Sequence, residues 1–239
     1  MRLRRVAAVL LTATGATAAL AQSAAPVQVN FGGGSETSYL RLLLLFAAVS
    51  LVPALLAIVT SFARIVIVLL FLRAGLGSQQ LIPTPVVIGL ALLLTACSMS
   101  GTLGEINERS VRPLLAGQMK FEGAWQAAQG PARAFLAAHT RAEDLRLFQD
   151  FAPVTAGKPA PLSSLAAAYA ISELRAAFII GFVIYLPFVV IDLVVAGTLA
   201  SLGLVALPPP VLALPFKVLL FVMVDGWRLL AYALLSSLQ

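Results

Sequence analysis

The sequence predicts an all-α membrane protein, with long broken helices arranged as hairpins and a small helical domain outside the membrane. Three observations predict this class. The chain of 239 residues is 60% hydrophobic and 11% charged, with a mean hydropathy of +0.98, too apolar for one water-soluble domain. Its apolar residues gather into four blocks, each close to or longer than the ~20 residues that cross a bilayer. Half of all its charged residues fall in one stretch, Glu105 to Lys158, where both signs are mixed.

Composition also excludes function classes. A net charge of +6 often signals nucleic-acid binding, but no basic run follows the N-terminus, so no nucleic-acid partner is expected. The single cysteine, Cys97, makes no internal disulfide, and its setting LLLTACSMS reads as that of a buried small hydrophobe. The single histidine, His139, reads as a surface residue at a helix end and leaves no histidine metal cluster and no Ser/His/Asp set. No Gly-rich loop joins a strand to a helix to hold phosphate. Asp192 and Asp225 in apolar segments raise the possibility of an aspartyl dyad, but Arg228 lies one turn from Asp225 and Lys217 offers Asp192 a partner. No catalytic, metal or cofactor site is expected, and the chain reads as a non-enzyme.

Residues 1–21 read as a secretory signal peptide. RLRR is followed by an apolar run from Val6 to Leu20 and the small-x-small pattern Ala19-Leu20-Ala21, which predicts cleavage between Ala21 and Gln22. A first membrane anchor is the alternative. Residues 22–38, with Gly32-Gly33-Gly34, form a flexible lead-in that starts outside the cytoplasm. Residues 39–104 make a first helical hairpin of two membrane-type segments. The first, Tyr39 to Leu72, exceeds one crossing and is expected to break at Pro53. Arg64 and Arg73 mark its cytoplasmic end under the positive-inside rule, or Arg64 pairs inside an assembly. Gly75 and Gly77 end the helix. The second segment, Val86 to Leu103, carries no charge and is the most conventional crossing in the chain.

Residues 105–164 form a water-facing helical domain. Pro131 is expected to open one helix, and Thr140 with Glu143 to form a capping box that opens the next. Phe135 and Leu136, then Leu145 and Phe148, supply apolar faces at helical spacing. With the N-terminus outside and two crossings before it, this domain also lies outside the cytoplasm, in a bacterium the periplasm. Residues 165–239 make a second hairpin of two membrane-type segments. Its first helix carries Glu173, Arg175 and Asp192, with a bend offered by Gly181 and Pro187. Glu173 and Arg175 point to opposite sides, so each needs a partner from another element. After the turn GLVALPPP at Gly203–Pro210, the last helix runs from Val211 through Leu238 and holds Lys217 and Asp225 in LPFKVLLFVMVDGW. A charge at mid-bilayer costs on the order of 3 kcal/mol. Folding across the turn brings Asp192 and Lys217 to similar depth, where a salt bridge is the cheapest way to bury both. Asp225 and Arg228, three apart, are placed to pair on their own helix.

Several strings occur in the order of one family. SFARIVIVLLFLRAGLG at Ser61–Gly77, IGLALLLT at Ile88–Thr95, EIN at Glu105–Asn107, TRAEDLRLF at Thr140–Phe148, ISELRAAFIIGFVIYLPFVVIDLVVA at Ile171–Ala196 and LPFKVLLFVMVDGW at Leu214–Trp227 together resemble the flagellar FliP family of type III protein export-gate subunits. The resemblance implies that sister copies join the companion subunits FliQ and FliR, with FlhB and FlhA, in the basal body and pass unfolded flagellar proteins through a central channel. It also implies that the assembled gate is lifted largely out of the bilayer plane. The signal peptide and the large domain favour the flagellar branch over the injectisome branch. Three departures stand out. Pro83-Thr84-Pro85-Val86 replaces the family's PPNQV, and Met99-Ser100-Gly101 replaces its MSP. After Gly203, Leu204, Val205 and Ala206 stand where relatives carry a run of methionines that forms a gasket, so smaller or β-branched side chains must close this channel-gate loop, Gly203 to Leu207.

A small-solute secondary transporter is the competing class, since broken helices with buried ions describe transporters too. Four apolar blocks are few for one, and the two halves of the chain show no convincing internal repeat.

Overall fold

The structure, a computed structural model, describes residues 36–77, 82–151, 160–204 and 206–238. The expected signal peptide, its expected cleavage point at Ala21 and Gln22, and Val205 of the expected gate loop lie outside the described residues. All regular structure among them is helical. The chain divides into two units, 1–49 and 50–239. Of the first, the described part is the opening of helix α1 (Glu36–Val59), where Leu40, Leu43, Leu44, Leu45 and Phe46 are exposed.

The second unit is built around α8 (Leu162–Ser201), an unbroken helix of 40 residues, or about 60 Å. It is long and apolar enough to cross a membrane. The expected bend at Gly181 and Pro187 does not break it; both lie inside the helix. Instead Gly181 lets α2 (Phe62–Leu76) come close, because a Cβ there would sit 2.5 Å from the Phe71 ring. Gly75 of α2 does the same for Phe188 of α8, also at 2.5 Å. Gly77 alone ends α2, with φ 76° and its N–H on the Ala74 carbonyl. A Gly181→Val variant is therefore expected to lose about 1–3 kcal/mol through overpacking, read as a lower thermal midpoint of the purified chain.

Helix breaks fall elsewhere than the prolines suggest. Pro53 stays inside α1, and the chain breaks at Thr60–Ser61, where the Phe62 N–H turns to the Thr60 hydroxyl at 3.3 Å. The uncharged segment expected as the most conventional crossing is bent by 68° at Met99, between α3 (Thr84–Ser98) and α4 (Ser100–Ile106). Ser98 Oγ reaches the Thr95 carbonyl at 3.0 Å and Ser61 Oγ at 2.7 Å, so these two breaks meet. Beyond a π-helical turn, Asn107–Val111, come α5 (Arg112–Leu115), α6 (Phe121–Ala138) and α7 (Ala142–Phe151). The last block is also two helices, α9 (Pro209–Met223) and α10 (Gly226–Ser236), bent by 63°. By length and composition the described chain thus has one crossing helix, or up to three if each bent pair counts as one span.

Two apolar cores follow. The larger joins α2, α3, α8, α9 and α10 through Ile65, Leu69, Leu72, Ala91, Ala177, Phe188, Phe221 and Leu234. The smaller joins the α6–α7 domain to the first turns of α8 through Met99, Phe135, Leu136, Leu165 and Tyr169, with Leu145 against it. Pro131 lies inside α6 rather than opening it. Thr140 does not cap α7; its hydroxyl donates to the Leu136 carbonyl at 2.6 Å, while the Arg141 N–H finds Ser172 Oγ at 3.1 Å. Outside these cores α8 exposes Phe178, Ile179, Phe182, Val183, Leu193 and Val194. Cys97, expected to be buried, is exposed on α3 beside the exposed Leu93.

Candidate functional site: two ion pairs and the turn after the long helix

Two ion pairs pin the long helix to its neighbours. Arg64 of α2 is 5% exposed and Glu173 of α8 is 0% exposed. The guanidinium meets the carboxylate with two parallel bonds, Nε to Oε2 at 2.8 Å and Nη2 to Oε1 at 2.5 Å, the fork geometry that makes Arg the favoured cation for a buried pair. Its third nitrogen, Nη1, donates to the Ser237 carbonyl at 2.6 Å and to Ser237 Oγ at 3.1 Å. Arg64 thus ties α2, α8 and the end of α10 together as a buried partner within the chain.

The second pair lies toward the other end of α8. Lys217 of α9 is 2% exposed, and its Nζ is 2.6 Å from Asp192 Oδ2, whose side chain is 37% exposed. Gly77 lies beside them: a Cβ there would be 3.3 Å from Lys217 Nζ. The apposition has a simple local cause. Gly203 takes φ 72° and closes α8 with a Schellman motif, its N–H on the Ala200 carbonyl at 3.1 Å and the Leu204 N–H on the Leu199 carbonyl at 3.0 Å. Pro208 and Pro209 then start α9 back along α8.

Along α8, Glu173 and Asp192 are nineteen residues apart, about 28 Å, close to the ~30 Å of a bilayer's hydrocarbon core. Between them α8 carries a single charge, Arg175, whose Nη1 pairs with Glu143 of α7 on the exposed surface. The charges that looked misplaced at mid-bilayer therefore sit as neutralised pairs near the two ends of one crossing length.

Asp225 differs from the expectation. It is not inside a helix but at the break between α9 and α10, in the left-handed conformation at φ 52°. No ion pair joins it to Arg228; its carbonyl accepts the Arg228 and Leu229 N–H groups at 3.0 and 3.1 Å. The break is tight because a Cβ on Gly226 would lie 2.2 Å from the Phe221 ring. In the turn after α8, expected to gate the channel, Leu204, Ala206 and Leu207 are exposed.

Sequence reading missed a polar cluster at the α6–α8 junction. Ser172 Oγ donates to Asp144 Oδ2 at 2.6 Å, and His139, half-buried, faces two carbonyls. Ser172 beside Glu173, on the face that Tyr169 shares at helical spacing, is the signal that pointed there. Nothing in a serine or a lone histidine distinguishes such a partner from a solvated side chain.

The FliP family pattern matches residues 45–234. The flagellar biosynthetic protein FliP of Bacillus subtilis (strain 168) is 45% identical over 204 residues, covering 84% of this chain and 92% of the relative. The protein of the same name from Caulobacter vibrioides is 43% identical, covering 93% and 85%, and that from Aquifex aeolicus is 37% identical, covering 90% and 92%. With most of its length aligned to such relatives, and with its buried pairs falling inside the matched region, this chain belongs to the FliP family and is a component of the flagellar type III export gate of the bacterial inner membrane.

Proposed function

We propose that sister copies of this chain, with the companion subunits FliQ and FliR and in contact with FlhB and FlhA, line the channel through which unfolded flagellar proteins leave the cytoplasm. Membership of the family carries the gate role and an oligomeric assembly with companion subunits. The observation that supports a channel-lining subunit is the surface of α8, whose crossing-length window is only 11% buried while each of its charges is held in an ion pair. Such a helix needs lipid or protein on most of its faces. In this reading residues 39–104 and 165–239 are the two hairpins of the channel wall, and residues 105–164 form a domain in the periplasm. The chain supplies walls and a constriction, not catalysis.

The turn Gly203-Leu204-Val205-Ala206-Leu207, in which Gly203, Leu204, Ala206 and Leu207 are exposed, supports the position of the closure. Gly203 stops α8 sharply, and the turn presents apolar side chains with no charge. Substrate proximity tests this. In a chain carrying Cys97→Ala, a cysteine at Leu204 is expected to form a disulfide with a cysteine in a stalled export substrate. A cysteine at Leu193, on the outer face of α8, is expected not to. Disulfide capture at Leu193 but not at Leu204 would place the substrate path elsewhere.

A further inference from the structure

His139 closes α6 and reaches across to the last residues of the chain's final helix. Its Nδ1 lies 2.8 Å from the Phe135 carbonyl and its Nε2 lies 3.0 Å from the Leu238 carbonyl. A carbonyl oxygen only accepts, so each contact needs an N–H on the ring nitrogen that faces it. A neutral imidazole carries one N–H and satisfies one contact; the imidazolium satisfies both. We propose that His139 is a proton-operated latch, which when protonated ties the end of α10 to the α6–α7 domain and when neutral gives up one of its two bonds.

The surroundings make this bond worth switching. His139 borders a cavity of about 290 Å³ with Arg64, Arg141, Ser172 and Ser237. Two cations face it, Arg64 from α2 and Arg141 from the turn before α7. The anions nearby are already engaged: Glu173 of α8 by Arg64, Asp144 of α7 by Ser172, and Glu143 of α7 by Arg141 and Arg175. Among the described residues, α10 and its end contribute the end carbonyls and the Ser237 hydroxyl. Those carbonyls are the negative end of a helix dipole and favour a cation. Arg64 holds the Ser237 carbonyl at every physiological pH, because a guanidinium does not lose its proton. His139 holds the next carbonyl together with that of Phe135 only while doubly protonated, and the neutral ring keeps one of the two, so one fixed clamp and one conditional clamp grip the same helix end.

The sign follows from linkage. Only the doubly protonated ring makes both contacts, so lower pH favours the latched state and higher pH the open one. Because the contact is internal to the chain, it holds whichever side of the membrane the α6–α7 domain occupies.

Hydrogen–deuterium exchange on the full chain in its membrane complex tests the proposal, following the peptide that ends in Leu234–Leu238 and correcting for intrinsic rates. Wild type is expected to exchange about ten-fold faster at pH 8 than at pH 5.5, the size of effect that one charged hydrogen bond supports. His139→Arg, which keeps charge and several donors, is expected to stay protected at both pH values. His139→Gln, with donors on a single nitrogen, is expected to exchange fast at both. Equal corrected exchange of wild type at the two pH values would overturn the latch, as would an unchanged pH dependence in His139→Gln.

Discussion

Glu173→Ala is expected to destabilise the chain by about 3–5 kcal/mol, the cost of leaving one member of a buried pair without its partner. The size follows from burial: with the carboxylate gone, Arg64 keeps its charge in a site that is 5% exposed and retains only the Ser237 contacts. Both the α2–α8 contact and the α10 end then loosen, because the same guanidinium joins them. The measurement is the thermal midpoint of the purified complex together with its yield from membranes. A double variant, Arg64→Met with Glu173→Leu, is expected to recover most of the loss, since well-packed apolar side chains often replace a buried pair at little cost. A single variant as stable as wild type would show that the pair does not hold these helices together.

Lys217→Glu is expected to be almost as damaging, for a different reason. It sets a second carboxylate where a cation now lies 2.6 Å from Asp192, at a position only 2% exposed, so two like charges face each other with one of them buried. The neutral variant Lys217→Ala is expected to cost less, about 2–3 kcal/mol, because Asp192 keeps 37% of its side chain in contact with the surroundings. Exchanging the charges, Asp192→Lys with Lys217→Asp, is expected to restore part of the flagellin export lost in either single neutral variant, measured as flagellin in the culture medium. No recovery in the exchanged chain, with normal amounts of protein, would count against direct pairing as the role of these residues.

What could be read from the sequence depended on how far apart the partners stand. Asp192 and Lys217 flank one Gly- and Pro-rich turn, so folding the chain across it was enough to bring them together. Arg64 and Glu173 are separated by 109 positions, and only the tertiary packing of α2 on α8 selects that partner. The need for one was legible, since Glu173 and Arg175 point apart; its identity was not. Helix breaks were misplaced for a related reason. Pro53, Pro131 and Pro187 all lie inside helices, as prolines do when neighbouring elements satisfy the freed carbonyls. The bends at Met99 and at Val224–Asp225 carry no proline; one is held by the Ser61–Ser98 contact and the other by Phe221 closing over Gly226. The first depends on a contact between residues 37 positions apart and the second on how one ring packs within a turn, neither of which periodicity encodes. The left-handed Asp225 removed the expected Asp225–Arg228 pair by taking the aspartate out of the helix.

The most direct test of a channel-forming gate subunit is its assembly. A C-terminally tagged copy, expressed with its own FliQ and FliR partners and extracted gently from the membrane, is analysed by native mass spectrometry. The account predicts a large complex that holds several copies of this chain together with both companions. A monomer or dimer that leaves FliQ and FliR behind would contradict it.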